Sequence, residues 1–291
     1  MAQIVAVVNQ KGGVGKTTTT VNLGAGLAML ERRVLIFDFD PQSNSTRGLG
    51  FGPDPDRPSV YDVLGGEADL ADILLPTEVE RLKLAPCEPD LIGLEVELMS
   101  AGRREYRLRD TLAPARRDYD TILIDCPPSL SLLTLNALVA ADSVLIPVQC
   151  EYLALEGVTL LIETLRRIKA SLNQPLSIEG VVLTMFDERT NLAKQVVEDI
   201  RAFFQESAFR TVVPRNVRLS EAPSYGKPIF LYDARSKGAE AYFNLAREFR
   251  EREEARANST QGVTRETPSA GERAELADPG AVVPVEGSGI D

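Results

Sequence analysis

A glycine-rich stretch near the start of the chain, KGGVGKTTTT at Lys11–Thr20, places the strongest constraint on its fold. It follows a short apolar run, Ile4–Val8, and leads into a segment rich in alanine and leucine, Thr17–Leu30. A strand, a glycine-rich loop and a helix in this order form a phosphate cradle, because the loop amides and the helix N-terminus point at the anion. The usual pattern G-x-x-x-x-G-K-[ST] needs glycine at position 10, where this chain has Gln10, followed by an extra lysine.

The loop residues predict how a nucleoside triphosphate and Mg²⁺ would bind. Glycine lets the backbone amides turn inward around the β-phosphate, while Lys16 would reach the β- and γ-phosphate oxygens. The Thr17 hydroxyl would bind Mg²⁺. The predicted nucleotide-binding residues of this segment are Lys11, Gly12, Gly13, Val14, Gly15, Lys16, Thr17 and Thr18. A glycine-rich turn with no ligand is the alternative interpretation of the same residues.

Aspartates follow two of the predicted strands, where a magnesium ion would need them, because Mg²⁺ prefers carboxylate and water oxygens. Asp125 ends the apolar run TILID and is the expected carboxylate ligand, directly or through water. Asp38 and Asp40 lie two residues apart in VLIFDFDPQ and can point the same way. With no histidine in the chain, Asp40 is the best group to orient or deprotonate an attacking water. Taken singly, each aspartate could instead cap a helix or a turn.

Short β-branched runs alternate with longer helical patterns along the chain, which is typical of a parallel sheet covered by helices. Apolar residues recur at helical spacing in two segments, at Leu155, Val158, Ile162, Leu165 and Ile168 and at Leu192, Val196, Ile200 and Phe203. The predicted strands are Gln3–Val8, Val34–Asp38, Leu82–Ala85, Thr121–Asp125, Ser143–Val148, Ile178–Thr184 and Thr211–Val213. We therefore predict an α/β protein with the three-layer P-loop NTPase fold, a twisted and mostly parallel sheet flanked by helices.

The composition excludes several kinds of chemistry and of partner. None of the 291 residues is a histidine, which rules out an imidazole base or metal ligand. Cys87, Cys126 and Cys150 are far apart and form no C-x-x-C pair, which favours free thiols in a reducing cytoplasm. A net charge of −11 argues against a constitutively basic nucleic-acid-binding surface but is compatible with a local basic patch. No signal peptide or bilayer-spanning segment is predicted.

The last part of the chain differs in composition from the rest. From Asn258 to Asp291 it is rich in Ser, Thr, Gly, Pro and Glu and has almost no apolar periodicity. Such a segment buries too little surface to offset its chain entropy. We therefore predict a nucleotide-binding domain over residues 1–254 and an acidic, disordered tail over residues 255–291, which either regulates the domain or has no role.

Several longer segments resemble one protein family. KGGVGKTT with its extra lysine, DFDPQSNST and ILIDCPPSL are similar to the deviant-Walker ATPases of the ParA/Soj partitioning family, relatives of MinD and of the nitrogenase iron protein. The resemblance continues through PVQCEYLALEG, EGVVLTMFDERTNL, VPRNVRLSEAPSYGKPI and YDARSKGAEAY. It covers about residues 2–250 and leaves out only the tail.

The resemblance implies an ATPase that requires Mg²⁺ and forms a sandwich dimer when ATP is bound. It implies that Lys11 reaches across the dimer to the triphosphate of the other subunit, whereas a solvated loop edge is the alternative role of this lysine. Asp40 is implied as the hydrolysis residue beside Lys11 and Lys16, and Asp125 as the carboxylate that accompanies Thr17 at the metal. The adenine pocket is implied to include Pro214, Arg215 and Asn216.

Family members of this type bind double-stranded DNA without sequence preference once ATP has formed the dimer. Arg189 and Arg218 are the implied DNA-binding residues, with Arg215 and Lys227 as weaker neighbours. Each arginine taken alone could equally be solvated or paired with a surface carboxylate. The implied partner is a ParB/Spo0J-type centromere-binding protein that stimulates hydrolysis, and the implied location is the cytoplasm, on the nucleoid and not on a membrane.

Alternative functions share the nucleotide chemistry. A MinD-like regulator of the division site would need a basic amphipathic helix at the C-terminus to lie on lipid, but the sequence there is AEAYFNLAREFREREEARA. An iron–sulfur protein would need bridging cysteines, and Cys126 and Cys150 show no such pattern. A transcription regulator would need an added helix-turn-helix before the phosphate loop.

Overall fold

Eight strands form one sheet in the part of the chain that the computed structural model describes, residues 1–99 and 102–263. The strands are β1 (Gln3–Val7), β2 (Val34–Asp38), β3 (Leu75–Pro76), β4 (Leu82–Ala85), β5 (Thr121–Asp125), β6 (Ser143–Gln149), β7 (Ser177–Phe186) and β8 (Ala208–Pro214). Their spatial order is β3-β4-β2-β5-β1-β6-β7-β8. All neighbouring pairs are parallel except β3 with β4.

Helices cover both faces of this sheet, which confirms the predicted α/β class. They are α1 (Lys16–Met29), α2 (Asn44–Gly48), α3 (Val60–Gly65), α4 (Leu70–Ile73), α5 (Leu91–Leu98), α6 (Arg107–Leu112), α7 (Leu132–Ala140), α8 (Ala154–Ser171), α9 (Asn191–Phe204), α10 (Val217–Glu221), α11 (Ile229–Tyr232) and α12 (Lys237–Val263). Among the described helices, none has both the length and the apolar character needed to cross a membrane.

Most positions of the central strands are apolar because both of their faces are buried. Exposed exceptions such as Lys83 of β4 and Arg210 of β8 occur in strands toward the two ends of the sheet. In β1, Ile4 and Ala6 belong to the core on one side of the sheet, whereas Val5 and Val7 belong to the core on the other. Successive side chains of a strand point to opposite faces, so a strand between two helical layers must be apolar at every position. This burial explains why β-branched apolar runs in the sequence predicted the strands.

All seven predicted strands are present, and three have the predicted bounds. The missed strand is the two-residue β3, which is too short to show any periodicity. The predicted buried stripe of α9 is partly wrong, because Leu192 and Phe203 are exposed. The buried residues of that helix are Ala193, Val196, Val197, Ile200 and Phe204. The buried stripe therefore shares Val196 and Ile200 with the prediction but is rotated slightly around the helix.

Helix α1 packs closely between the sheet and α12. A Cβ atom on Gly26 would lie 2.9 Å from the Ala246 Cβ atom, so only glycine allows this approach. The Thr19 hydroxyl and the phenol of Tyr242 form a buried hydrogen bond of 3.1 Å between the same two helices. The residues that follow the phosphate loop are therefore held from behind by α12.

Packing divides the chain into two units, Met1–Arg252 and Glu253–Asp291. Helix α12 runs to Val263, so residues 255–263 of the predicted tail are helical. Residues 264–291 lie outside the described residues. The domain bounds and the disorder of the tail stay predictions.

Candidate nucleotide site

The candidate site lies where the carboxyl ends of three neighbouring strands meet. Val7 at the end of β1 is in register with Asp125 of β5, and Asp125 is in register with Asp38 of β2. Ligands of parallel α/β sheets bind at this edge, next to the strand where the connections change direction. The loop that follows β1 thus brings Lys11–Lys16 to the two strand-end aspartates.

The loop has the backbone of a phosphate cradle. Gly13 and Gly15 have φ angles of 75° and 90°, which other residues adopt only with strain. Three further contacts fix the loop. The Asn9 side chain donates to the Pro147 carbonyl at 2.8 Å and accepts from the Lys11 amide at 2.9 Å, and the Thr184 hydroxyl donates to the Val14 carbonyl at 2.8 Å. The conformation of the loop is therefore fixed by contacts with other parts of the same chain.

Lys16 faces into the cradle. Only 7% of the residue is exposed, and its ammonium donates to the Lys11 carbonyl at 3.3 Å. Burial lowers the pKa of Lys16, and the charges of Asp125 and Asp40 oppose that shift. An anion between these groups would remove the cost of burying the ammonium.

Asp125 has the surroundings of a metal ligand. It is fully buried and accepts hydrogen bonds from the Ser45 hydroxyl at 2.8 Å and the Thr20 hydroxyl at 3.4 Å. Burial raises the pKa of Asp125 to about 6, while hydrogen bonds from Ser45 and Thr17 oppose the shift. A cation beside the Asp125 carboxylate and the Thr17 hydroxyl would stabilise the charged form, so these residues fit Mg²⁺. No group of three or more acidic or cysteine side chains that could hold a metal occurs among the described residues, so most remaining ligands would be phosphate and water oxygens.

The two aspartates of VLIFDFDPQ have different roles. Asp38 is fully buried and accepts from the amide and hydroxyl of Thr46, both at 2.7 Å. Burial and the charge of Asp125 raise the pKa of Asp38 well above its usual value. Asp40 is 7% exposed, and its carboxylate accepts from the Gln42 amide at 3.0 Å. Asp38 is thus occupied by α2, whereas Asp40 is the aspartate whose charge reaches Lys16.

A cavity of about 380 Å³ opens beside the loop. Its lining includes Gly15 and Thr18 of the loop and helix α1 together with Pro214, Arg215 and Asn216. The predicted adenine-binding segment therefore lies next to the predicted phosphate-binding residues, although 198 residues of sequence separate Thr18 from Asn216. Met185 also lines the cavity with a φ angle of 52°, which is unusual for a residue other than glycine.

The extra lysine contributes its backbone carbonyl to the cradle, but its side chain binds a residue outside the loop. Its side chain is 58% exposed, and its ammonium pairs with Glu151 after β6. Lys16 already supplies the inward cation. The Lys11 ammonium is thus largely exposed and paired with a residue outside the loop.

The predicted DNA-binding arginines are exposed, but each pairs with a carboxylate of its own chain. Arg189 contacts Asp187 at 2.6 Å. Arg218 contacts Glu221 at 2.8 Å and Asp233 at 3.4 Å. Within this chain, both arginines therefore form ion pairs with surface carboxylates, which was the alternative interpretation of each.

Several residues at the site were not predicted. Ser45, Thr46 and Thr184 hold Asp125, Asp38 and the Val14 carbonyl, respectively. Hydroxyl residues are common in loops, so their presence alone does not indicate a site. Only the cluster SNST, which contains Ser45 and Thr46 and closely follows Asp40, could have suggested these contacts. The cysteines are all buried and free, as predicted.

Comparison with known proteins gives consistent matches over most of the chain. A family model described as an AAA domain matches residues 2–178. The chromosome partitioning protein ParA of Myxococcus xanthus is 54% identical over 253 residues, which are 87% of this chain and 89% of that protein. The sporulation initiation inhibitor protein Soj of Bacillus subtilis is 56% identical over 248 residues, 85% of this chain and 98% of Soj.

A solved structure shares the same fold. It is the cobyrinic acid a,c-diamide synthase of Mycobacterium smegmatis with bound ADP and magnesium, at a TM-score of 0.74 and 38% sequence identity. The match covers 84% of this chain and 93% of that one.

Proposed function

This chain belongs to the ParA/Soj family of chromosome-partitioning ATPases, and we propose that it is the ATP-dependent switch of a chromosome or plasmid segregation system. The observation that carries the proposal is the separation of the two loop lysines. Lys16 supplies the inward cation, while Lys11 is exposed at the rim, where a second subunit could approach it.

The nucleotide would be held by groups that are already in place. The amides of the loop and Lys16 would bind the phosphates, and the cavity beside Pro214–Asn216 would take the adenine. Thr17 and Asp125 would hold Mg²⁺, which supplies positive charge to the phosphate oxygens when bound. The related synthase structure contains ADP and magnesium, which supports the same pair of ligands here.

Hydrolysis would rest on Asp40 and the lysines. The Asp40 carboxylate would orient a water toward the γ-phosphorus and accept its proton, while the bond from that phosphorus to the β–γ bridging oxygen breaks. Lys16 would balance the charge that develops on the leaving ADP. Turnover without a partner would be slow, because a switch that hydrolyses its ligand unaided stores no state.

Dimer formation would follow from the position of Lys11. If each Lys11 binds the triphosphate of the other subunit, the nucleotide stabilises the dimer, and loss of the γ-phosphate weakens it. The dimer would bring two sets of Arg189 and Arg218 onto one DNA. Because affinity rises steeply with the number of phosphates neutralised, DNA binding would depend on ATP.

The cycle would take place in the cytoplasm, on the nucleoid. ATP-bound dimers would bind double-stranded DNA without sequence preference, and a ParB/Spo0J-type centromere-binding protein would stimulate hydrolysis and release them. A MinD-like role would instead require attachment to lipid. In flotation with anionic liposomes we therefore expect the ATP-bound protein to stay at the bottom of the gradient.

Size-exclusion chromatography with light scattering tests the switch. We expect Asp40→Ala with ATP and Mg²⁺ to elute as a stable dimer, the wild type to dimerise transiently, and Asp40→Ala combined with Lys11→Ala to stay monomeric. If the double variant dimerises as fully as Asp40→Ala does, Lys11 does not act across the interface. If all forms stay monomeric, the proposed switch is wrong.

A further inference from the structure

A small notch lined by three cations and two carboxylates lies on the face that carries Arg189. It has a volume of about 210 Å³ and is lined by the segment after β7, by Pro214 and Arg215, and by Lys237 at the start of α12. Arg215 and Lys237 are exposed and take part in no ion pair within the described part of the chain. The notch therefore presents two cations that no carboxylate contacts directly, while the charges of Glu188 in its lining and of Asp187 beside Arg215 offset them in part.

The third cation of the notch, Arg189, is paired with a carboxylate. Arg189 binds Asp187 through two side-chain hydrogen bonds, of 2.8 Å and 2.6 Å, in the bidentate arrangement that a phosphate would also use. These bonds lower the pKa of Asp187 to about 2, so the carboxylate is ionised at any working pH. Asp187 also lines the notch, where its negative charge would repel an entering anion.

In this arrangement, a phosphate would compete with Asp187 for Arg189. A phosphate oxygen that enters the notch meets Arg215 and Lys237 directly but must displace Asp187 to gain Arg189. Exposed ion pairs are weak, so the exchange is feasible, but the displaced carboxylate keeps its charge nearby. The affinity of one subunit for DNA is thereby lower than its arginines and lysines alone would give.

We propose that this notch is a contact site for a DNA phosphate, with Arg215 and Lys237 as its available cations and Asp187 as the internal competitor that withholds Arg189. The inference rests on the DNA binding proposed above and adds its regulation. Two copies of the notch are needed for appreciable affinity because each is partly self-neutralised. A dimer therefore binds where a monomer does not.

Salt-dependent binding to a DNA duplex of arbitrary sequence tests this proposal. The full chain is used with ATP and Mg²⁺ in the Asp40→Ala background, and binding is followed by fluorescence anisotropy. We expect Lys237→Ala to weaken binding about three- to tenfold and to lower the salt dependence by about one counterion per subunit. The matched control is Lys169→Ala on α8, which removes the same charge from an exposed site elsewhere.

The competitor is tested by a change in the opposite direction. Asp187→Asn keeps a side-chain oxygen that can accept the 3.1 Å hydrogen bond from the Arg189 backbone amide, but it removes the negative charge of the side chain. We expect it to strengthen DNA binding about two- to fivefold, and more than Glu163→Gln, which makes the same charge change on α8. Most of the gain should disappear when Arg189→Ala is also present, because the competitor then has no arginine to release.

The outcomes separate this inference from the proposed function. If the parent protein shows no ATP-dependent retention on DNA, the proposed DNA binding fails, and the notch proposal fails with it. If the parent binds DNA but Lys237→Ala and Asp187→Asn behave like their α8 controls, only the notch proposal is overturned. Weaker binding by Asp187→Asn would also overturn it.

Discussion

At the scale of single residues, the two lysines of the glycine-rich loop differ in exposure and in the groups that they contact. Lys16 is buried next to Asp40 and Asp125 and can serve only its own loop. Lys11 is more than half exposed and binds Glu151, which lies 140 residues further along the chain. The sequence pattern predicted Lys16 as a phosphate ligand, and the family resemblance implied that Lys11 binds the triphosphate of the other subunit. It could not show the Glu151 contact, because that contact depends on the position of the loop after β6.

Glu151→Gln tests whether this pair restrains Lys11. Removing the carboxylate frees the ammonium, so we expect the ATP-bound dimer to form at up to about fivefold lower protein concentration, the range expected for an exposed pair. Sedimentation equilibrium in the Asp40→Ala background measures this dimerisation, with Glu163→Gln as the charge-matched control. Weaker dimerisation by Glu151→Gln would mean that Glu151 itself supports the interface.

The pair of Asp187 and Arg189 gives a prediction for pH. A carboxylate whose pKa is lowered to about 2 contributes stability above its unfolded value near pH 4 and loses it as the pH falls toward 2. The pair is therefore complete across the range used for binding. We expect the gain in DNA affinity of Asp187→Asn to be equal at pH 6 and pH 8, and a gain confined to one of these would contradict the pairing.

At the scale of secondary structure elements, two glycine turns contact each other, one after α2 and one in the segment after α10. Gly50 follows α2 and Gly226 follows the short segment after α10, and both have positive φ angles. A Cβ atom on Gly226 would lie only 2.4 Å from the Gly50 Cα atom. The strands and long helices were predictable from local periodicity. This contact was not, because it joins two turns that are distant in the sequence.

Gly226→Ala should disrupt that contact. The new methyl group would clash with backbone and sit at an unfavourable φ angle, so we expect a loss of about 1–3 kcal/mol in the free energy of unfolding. Thermal melting of the nucleotide-free protein measures this. Gly157→Ala is the control, since a Cβ there meets no atom within 4 Å and a helical alanine should stabilise by about 0.5–1 kcal/mol. Equal melting of both variants would contradict the tight contact.

At the scale of the whole molecule, the chain is acidic overall and yet exposes cations such as Arg189, Arg215 and Lys237 around one notch. Its net charge of −11 gives no general attraction to DNA. Composition alone thus predicted a protein that does not bind nucleic acid constitutively. The proposed DNA-binding surface was suggested only by the family resemblance, and the ion pairs of Arg189 and Arg218 became known only from their side-chain contacts.

Truncation tests how much of the chain the fold requires. Leu245 and Phe249 of α12 are fully buried, so a chain that ends before Leu245 should not fold. A chain that ends at Val263 loses only the polar segment predicted to be disordered. We expect its melting temperature by circular dichroism to stay within about 2 °C of the full chain. A drop of more than 5 °C would show that residues 264–291 stabilise the domain.

The short helix α2 has one more consequence. Its adjacent residues Ser45 and Thr46 hold the carboxylates of two different strands, Asp125 and Asp38. Because the two hydroxyls are neighbours on five residues of helix, neither carboxylate can change its partner without moving the backbone that serves the other. A cation bound at Asp125 would therefore affect Asp38 at the end of β2. Only Phe39 separates Asp38 from Asp40 in the sequence. Through this helix, a change of charge at Asp125 would alter the position of Asp40, the proposed hydrolytic residue.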